Sequence, residues 1–206
     1  MPLCPAQEFL SQPLRVHAFL EGVPLHDVWA VDLPVWNEGI TLHEFRGRAI
    51  KKENLGKVPW PTRALLGVRF FLGRVLGLEA EPKNAQQMYF ANRLTAEDCE
   101  QSLVPAGTRD GFFRVVYRFE NEILLEVVNR TVHAASLSAL RRTGEGYRFY
   151  FAVYVRKISW ITPVYMALID PFRKWVVYPA ILKRIRENWD EAFGPRKAPG
   201  GEFKER

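Results

Sequence analysis

The sequence predicts a single α+β domain: a curved antiparallel sheet wrapped around a long C-terminal helix, with two shorter helices after the first strand. Three observations carry this. The segment 111–119 alternates with the period of two of a strand, and 147–157 sets Tyr147, Phe149, Phe151, Val153 and Val155 on one face of another. A stretch opening on Thr162-Pro163 and running to about Ala192 has helical spacing instead. The resulting order is strand, two helices, antiparallel meander, long helix. Such a sheet has one apolar face in need of a cover, and the last helix is the natural one.

The elements follow in order. Residues 1–24 carry Pro2, Pro5, Pro13 and Pro24 and read as an extended arm lying over or beside the domain. Leu25–Leu33 reads as a first strand stopped by Pro34. A weak helix spans about Asn37–Ile50, broken by Gly39 and Gly47. A stronger one spans Trp60–Leu78, where Leu65, Val68, Phe71, Leu72, Val75 and Leu76 recur at helical spacing and Gly77 suits a C-terminal cap. Thr95 with Asp98 three residues on marks a short capped helix. In 111–119, Phe113, Val115, Tyr117 and Phe119 fall on one face, opposite Arg114 and Arg118. Glu122–Leu140 reads as one bent strand or two, and Thr143–Gly146 as a hairpin turn leading into a last strand over Tyr147–Lys157. Pro171 and Pro179 interrupt the final helix, so a kink or two abutting helices is expected. Tyr165, Ile169, Phe172 and Val176 form an apolar stripe along it, and Lys183, Arg184 and Arg186 its solvated side. The domain therefore spans 25–193, and the Pro/Gly-rich, charged end 194–206 reads as a disordered tail.

Composition narrows the function. The 206 residues suit one domain with a real core. Aromatic content of 13% is enough either to fill a large core or to line a large cavity. The net charge of +6 is scattered, with no long basic run before the C-terminal segment, so specific nucleic-acid binding is not expected. That segment, FRKWVVYPAILKRIREN, is basic and amphipathic. It reads as a lid helix with a solvated face, or as a peripheral contact to an anionic membrane. Cys4 and Cys99 suit a reducing compartment better than a disulfide framework. The N-terminus lacks the pattern of a signal peptide, and no apolar run reaches the ~18–20 residues of a membrane span. A cytoplasmic location is expected. An exposed edge strand is compatible with a homodimer.

Three stretches carry a family resemblance: PWPTRALLGVRFFLGRVLGLE (59–79), GFFRVVYRFENEILLEVVNRTVHAASLSAL (111–140) and VYVRKISWITPVYMALIDPFRKWVVYPAILKRI (153–185). The chain resembles the START-like, or helix-grip, superfamily. More closely, it resembles a bacterial family of unknown function within that group, also found fused behind short-chain-dehydrogenase-like domains. The resemblance implies a fold and a ligand class, with no reaction to carry over. The family often has a histidine two positions after the proline of the third stretch; this chain has Arg173 there.

A curved sheet held off its helix leaves a deep apolar pocket, so binding of an apolar or aromatic small molecule or lipid is the expected function. The alternatives are a cyclase-, dehydratase- or isomerase-like enzyme using the same cavity, and a scaffold whose core is filled by its own side chains. No cofactor is expected. His17, His26, His43 and His133 have no metal-ligand spacing, and His43-Glu44 lacks the second histidine of a zincin motif, so no metal is expected either. His133 is the one candidate catalyst: with Thr131, Ala135 and Leu137 on its face, it points either into the pocket or outward. Alternation places Asn129 on the His133 face and pairs Glu126 with Arg130 on the other. Asn129 and His133 are thus candidate orienting groups. Tyr117, Tyr150, Tyr154, Tyr165 and Phe172 complete the candidate ligand-binding set, tyrosine being suited to a mostly apolar ligand with one polar end.

Overall fold

A computed structural model describes residues 4–35, 37–49, 82, 84–130, 132–158, 160 and 162–194. Six antiparallel strands form one sheet in the order β1-β6-β5-β4-β3-β2. They are β1 (Leu25–Pro34), β2 (Arg109–Asp110), β3 (Phe113–Arg118), β4 (Glu122–Val128), β5 (His133–Arg142) and β6 (Gly146–Arg156). The last five form a meander, and β1 closes the far edge beside β6. Among the described residues the helices are α1 (Ala6–Leu10), α2 (Arg15–Phe19), α3 (Leu42–Ala49), α4 (Ala85–Met88), α5 (Ala96–Gln101), α6 (Thr162–Phe172) and α7 (Tyr178–Phe193). A 3-10 turn covers Phe90–Arg93, and a π-helical segment, Arg173–Val177, joins α6 to α7.

Both faces of the sheet are covered. On one, Val28, Ala30, Leu124, Ala135, Leu137, Ala139, Tyr150, Ala152 and Tyr154 pack against Phe9, Val16, Phe19 and Leu20 of the N-terminal arm and against Phe90. On the other, Trp29, Val31, Leu33, Ile123, Tyr147, Phe149, Val153 and Val155 pack against Phe45 of α3 and against Tyr178, Leu182, Trp189 and Phe193 of α7. The alternation of β1 and β6 is therefore apolar to both sides.

Several expectations hold. β1, the hairpin at 143–146 and β6 lie within a residue of their predicted bounds. Glu122–Leu140 is two strands. Thr95 and Asp98 form a reciprocal capping box. Others need correction. The arm is not extended: α1 and α2 occupy it, and Phe9 and Val16 are fully buried, so it belongs to the folded core. The strict alternation expected over Phe113–Phe119 is broken by a register shift between Val115 and Tyr117 that turns Val116 and Tyr117 into the same cluster. The helix expected over Trp60–Leu78 and the tail beyond Gly194 lie outside the described residues.

Gly146 marks where the hairpin meets β1. It pairs with Pro34, and a methyl group on its α-carbon would overlap the Leu33 carbonyl oxygen. Because the obstacle is backbone, the strands would have to part. Gly146→Ala is expected to lower stability by about 1–3 kcal/mol, read as a fall in the urea midpoint at an unchanged slope.

Candidate functional site

β4 projects Glu122, Leu124, Glu126 and Val128 to the face under the arm. Glu122 is buried, and burial pushes its carboxyl above the ordinary range, against the pull of its donors. Those donors are the Tyr117 hydroxyl and the backbone N–H groups of Arg15 (2.9 Å) and Val16 (2.8 Å). The first two residues of α2 thus give their N–H groups to a side chain of the sheet, because Leu14 at the cap position supplies none. Glu126 repeats the device one strand-turn away. It accepts from the N–H groups of Phe90 (2.7 Å) and Ala91 (3.3 Å), where Tyr89 gives no cap.

His133 lies beside Glu126, with Nε2 at 3.0 Å from its Oε2. The Glu126 side chain thus meets two backbone N–H groups and the imidazole at once. The ring has no exposed surface, and Phe90 stacks on it at 3.8 Å between centroids. Its Nδ1 has no partner among the described residues.

Of the other sequence-predicted residues, Tyr117, Tyr150 and Tyr154 share this face with His133. The Tyr150 hydroxyl donates to Glu8 of α1 at 3.1 Å and, chiefly through burial, is pushed up to about 12. Burial also raises Tyr117 and Tyr154. Asn129 shapes the β4–β5 turn, its side-chain oxygen accepting from Val132 at 2.9 Å. Two expectations fail here. Glu126 shares the His133 face instead of opposing it and lies within hydrogen-bond distance of its ring; alternation does not carry across the turn at 129–132. Moreover, these residues lie on the face opposite the C-terminal helix. Phe172 sits on that helix and is 46% exposed. The side chain of Tyr165 and all of Thr131 lie outside the described residues.

A second cluster joins β1 to the C-terminal helix. A register shift between Leu25 and Asp27 turns His26 outward and Asp27 toward the helix. His26 Nε2 is 2.9 Å from Asp170 Oδ2 and 3.9 Å from Asp27 Oδ2. Arg173, in the π segment, bridges the two carboxylates: Nη1 to Asp170 Oδ1 at 2.8 Å and Nη2 to Asp27 Oδ2 at 3.3 Å. Arg173 also donates to the Tyr178 hydroxyl, Nε at 2.6 Å. The Tyr178 ring is wedged between Trp29 and Phe151. Asp27 is buried, and desolvation holds its carboxyl above the ordinary value against the opposing charges of Arg173 and His26. The ligand atoms of His26, Asp27 and Asp170 lie within 4.8 Å of one another, a spacing a metal ion could use. The guanidinium bridging the two carboxylates already supplies the positive charge they need. Sequence reasoning singled out only Arg173 here, because its partners lie up to 146 residues away.

Among the described residues, clefts open at the surface. One, of about 430 Å³, lies between Glu38–Thr41 and the β5–β6 hairpin. Another, of about 440 Å³, is lined by Pro82, Asn84, Met88, Arg130, Arg156, Lys157 and Ile158. The seam between sheet and α7 is instead occupied by rings: Tyr147 and Trp189 at 5.1 Å, Trp29 and Tyr178 at 5.4 Å, Phe45 and Trp189 at 5.2 Å. Among the described residues, no helix is long and apolar enough to cross a membrane.

Removing Arg173 strands a buried carboxylate. Arg173→Met is expected to cost about 3–5 kcal/mol at neutral pH. It also deletes the strongest influence holding the Asp27 carboxyl down, so the raised value rises further. A carboxyl raised on folding favours the folded state more as pH falls. The gap between variant and parent should therefore narrow on acidification toward pH 5, measured by denaturant unfolding across that range. A constant gap would mean that Asp27 is not the group left unpaired.

A family model described as a protein of unknown function (DUF2867) matches residues 19–180. No curated protein and no solved structure matches the chain.

Proposed function

We propose a function for this chain, which belongs to the DUF2867 family, from its own side chains: it binds an apolar or aromatic small molecule or lipid along its C-terminal helical segment. The supporting observation is a pair of exposed rings, Phe172 (46%) and Trp175 (79%), at the junction of α6 and the π segment. They stand three residues apart on one helical segment, Phe172 at the end of α6 and Trp175 within the π turn. Large exposed rings are costly to maintain in water and mark contact sites when they adjoin. The half-buried cluster of His26, Asp170 and Arg173 stands beside them and offers a polar end to an amphipathic ligand. π-helical segments recur at functional sites because the widened turn re-aims side chains. The ligand is placed on the outer side of the helix, since rings occupy the seam beneath it.

The same reading takes the fold as START-like, of the helix-grip kind, and the location as cytoplasmic. It extends to a peripheral membrane contact in which Phe172 and Trp175 meet the acyl boundary while Lys174, Lys183 and Arg184 meet anionic headgroups. A second reading, the scaffold with a filled core, is favoured by the double covering of the sheet.

Native mass spectrometry of protein purified from cells, followed by extraction, distinguishes these readings. A stoichiometric apolar adduct is expected. Phe172→Ala with Trp175→Ala should reduce its occupancy about tenfold or more. Both side chains are exposed, so stability should stay within about 0.5 kcal/mol. An adduct indifferent to the double variant would move the ligand elsewhere. The absence of any adduct, together with no partition onto anionic vesicles, would leave the scaffold.

A further inference from the structure

The cleft beside α4 combines features that the functional reading above does not use. Arg156 ends β6 directly across from His133, so its side chain leaves the sheet on the His133 face, beside the segment that carries Phe90. Arg130 comes from the β4–β5 turn and Lys157 follows Arg156. All three are exposed and line the same cleft, and no carboxylate is among its described lining residues. Among the described residues none of the three makes an ion pair or a side-chain hydrogen bond, whereas Arg15, Arg46, Arg48, Arg118, Arg148, Arg173 and Arg184 are each within reach of an Asp or Glu. Seven other arginines are held by a carboxylate, and these three cations, which line one cleft, are not.

Like charges around one concavity repel, and an anion entering it reverses the sign of every one of those interactions. Two guanidinium groups offer forked donors that match the oxygens of a phosphate, and the ammonium adds a compact point charge. Asn84 adds a neutral polar side chain. Pro82, Met88 and Ile158 form an apolar wall, and the cleft's volume of about 440 Å³ is that of a small-molecule site. We propose that this cleft binds an organic phosphate, the phosphate on Arg130, Arg156 and Lys157 and its apolar substituent on Met88 and Ile158. This site stands independently of the ligand proposed for the C-terminal helix.

The test is a ¹H–¹⁵N NMR titration of the full chain with inorganic phosphate, phenyl phosphate and a short-chain phosphatidic acid. Saturable shifts confined to the cleft residues are expected. Phenyl phosphate should bind about tenfold more tightly than inorganic phosphate. The triple variant Arg130→Gln, Arg156→Gln, Lys157→Gln should lose about tenfold or more for every probe. Because all three positions are exposed, its spectrum should otherwise be unchanged. Met88→Gln should erase the advantage of phenyl phosphate while leaving inorganic phosphate alone. Tighter binding of the phosphatidic acid than of phenyl phosphate would assign the site to a lipid headgroup; the reverse order would assign it to a small phosphate ester. Shifts spread over all exposed arginines, or equal affinity in the triple variant, would overturn the site. An unaltered preference in Met88→Gln would overturn the apolar wall.

Discussion

The architecture depends on two buried carboxylates of one strand. Glu122 and Glu126 leave the same face of β4, about 13 Å apart at strand rise. Burying either would cost several kcal/mol if it went uncompensated. Each is compensated by backbone N–H groups at the start of a covering segment, α2 for Glu122 and the 3-10 turn for Glu126. The exchange is mutual. A carboxylate gains the donors it needs, and a helical turn without a side-chain cap gains an acceptor for groups that would otherwise be orphaned. Sheet and cover are therefore not merely apolar surfaces in contact. Their relative position is set by directional, charge-assisted hydrogen bonds. Arg15 reinforces the first of these points through Asp98, whose carboxyl its guanidinium holds down at about 2.

This constraint decides what the rest of the molecule can offer a partner. With the arm fixed on one face and α7 on the other, the broad sheet surfaces are spent on the core. Among the described residues, the accessible features include the edge of the sheet, the clefts at Glu38–Thr41 and beside α4, and the outer side of the C-terminal helical segment. That segment is shaped by its prolines. Pro179 has no N–H for the Trp175 carbonyl, and its ring crowds that carbonyl, so a regular helix cannot pass through unchanged. The chain widens to a π-helical turn over Arg173–Val177 instead of breaking. The widened turn carries Arg173 to Asp27 and Asp170 and leaves Trp175 outside. One backbone irregularity thus produces both a buried charge bridge to β1 and an exposed ring.

Much of this was legible in the sequence where the signal is local. β1, β6, the 143–146 hairpin and the Thr95–Asp98 cap all follow from alternation or spacing within a few residues. What was not legible is non-local or depends on one-residue irregularities. Register shifts at His26 and between Val115 and Tyr117 reverse the facing of everything beyond them, and no residue in either strand announces them. The turn at 129–132 resets parity, which is why Glu126 faces His133 although simple alternation separates them. Prolines in the first 24 residues suggested an extended arm, yet the residues between them form short helices once Glu122 and the sheet are present to dock them. The charge bridge of Asp27, Asp170 and Arg173 joins residues that no sequence window contains together.

The position of His133 bears on whether this fold does chemistry. A general base must reach a proton on its substrate, within hydrogen-bond distance or through one water. His133 is sealed under Phe90, and its Nε2 is committed to Glu126. That same carboxylate holds the Phe90 and Ala91 N–H groups. Exposing the imidazole by lifting the Phe90 segment would strip Glu126 of two donors while it stayed beside the ring. The cover and the histidine are thus coupled through a single side chain, and a catalytic cycle would break and remake that anchor at every turnover. A binding role at the outer helix or at the basic cleft asks for no such movement: Phe172, Trp175, Arg130, Arg156 and Lys157 already face solvent, and the interactions that hold the core remain intact.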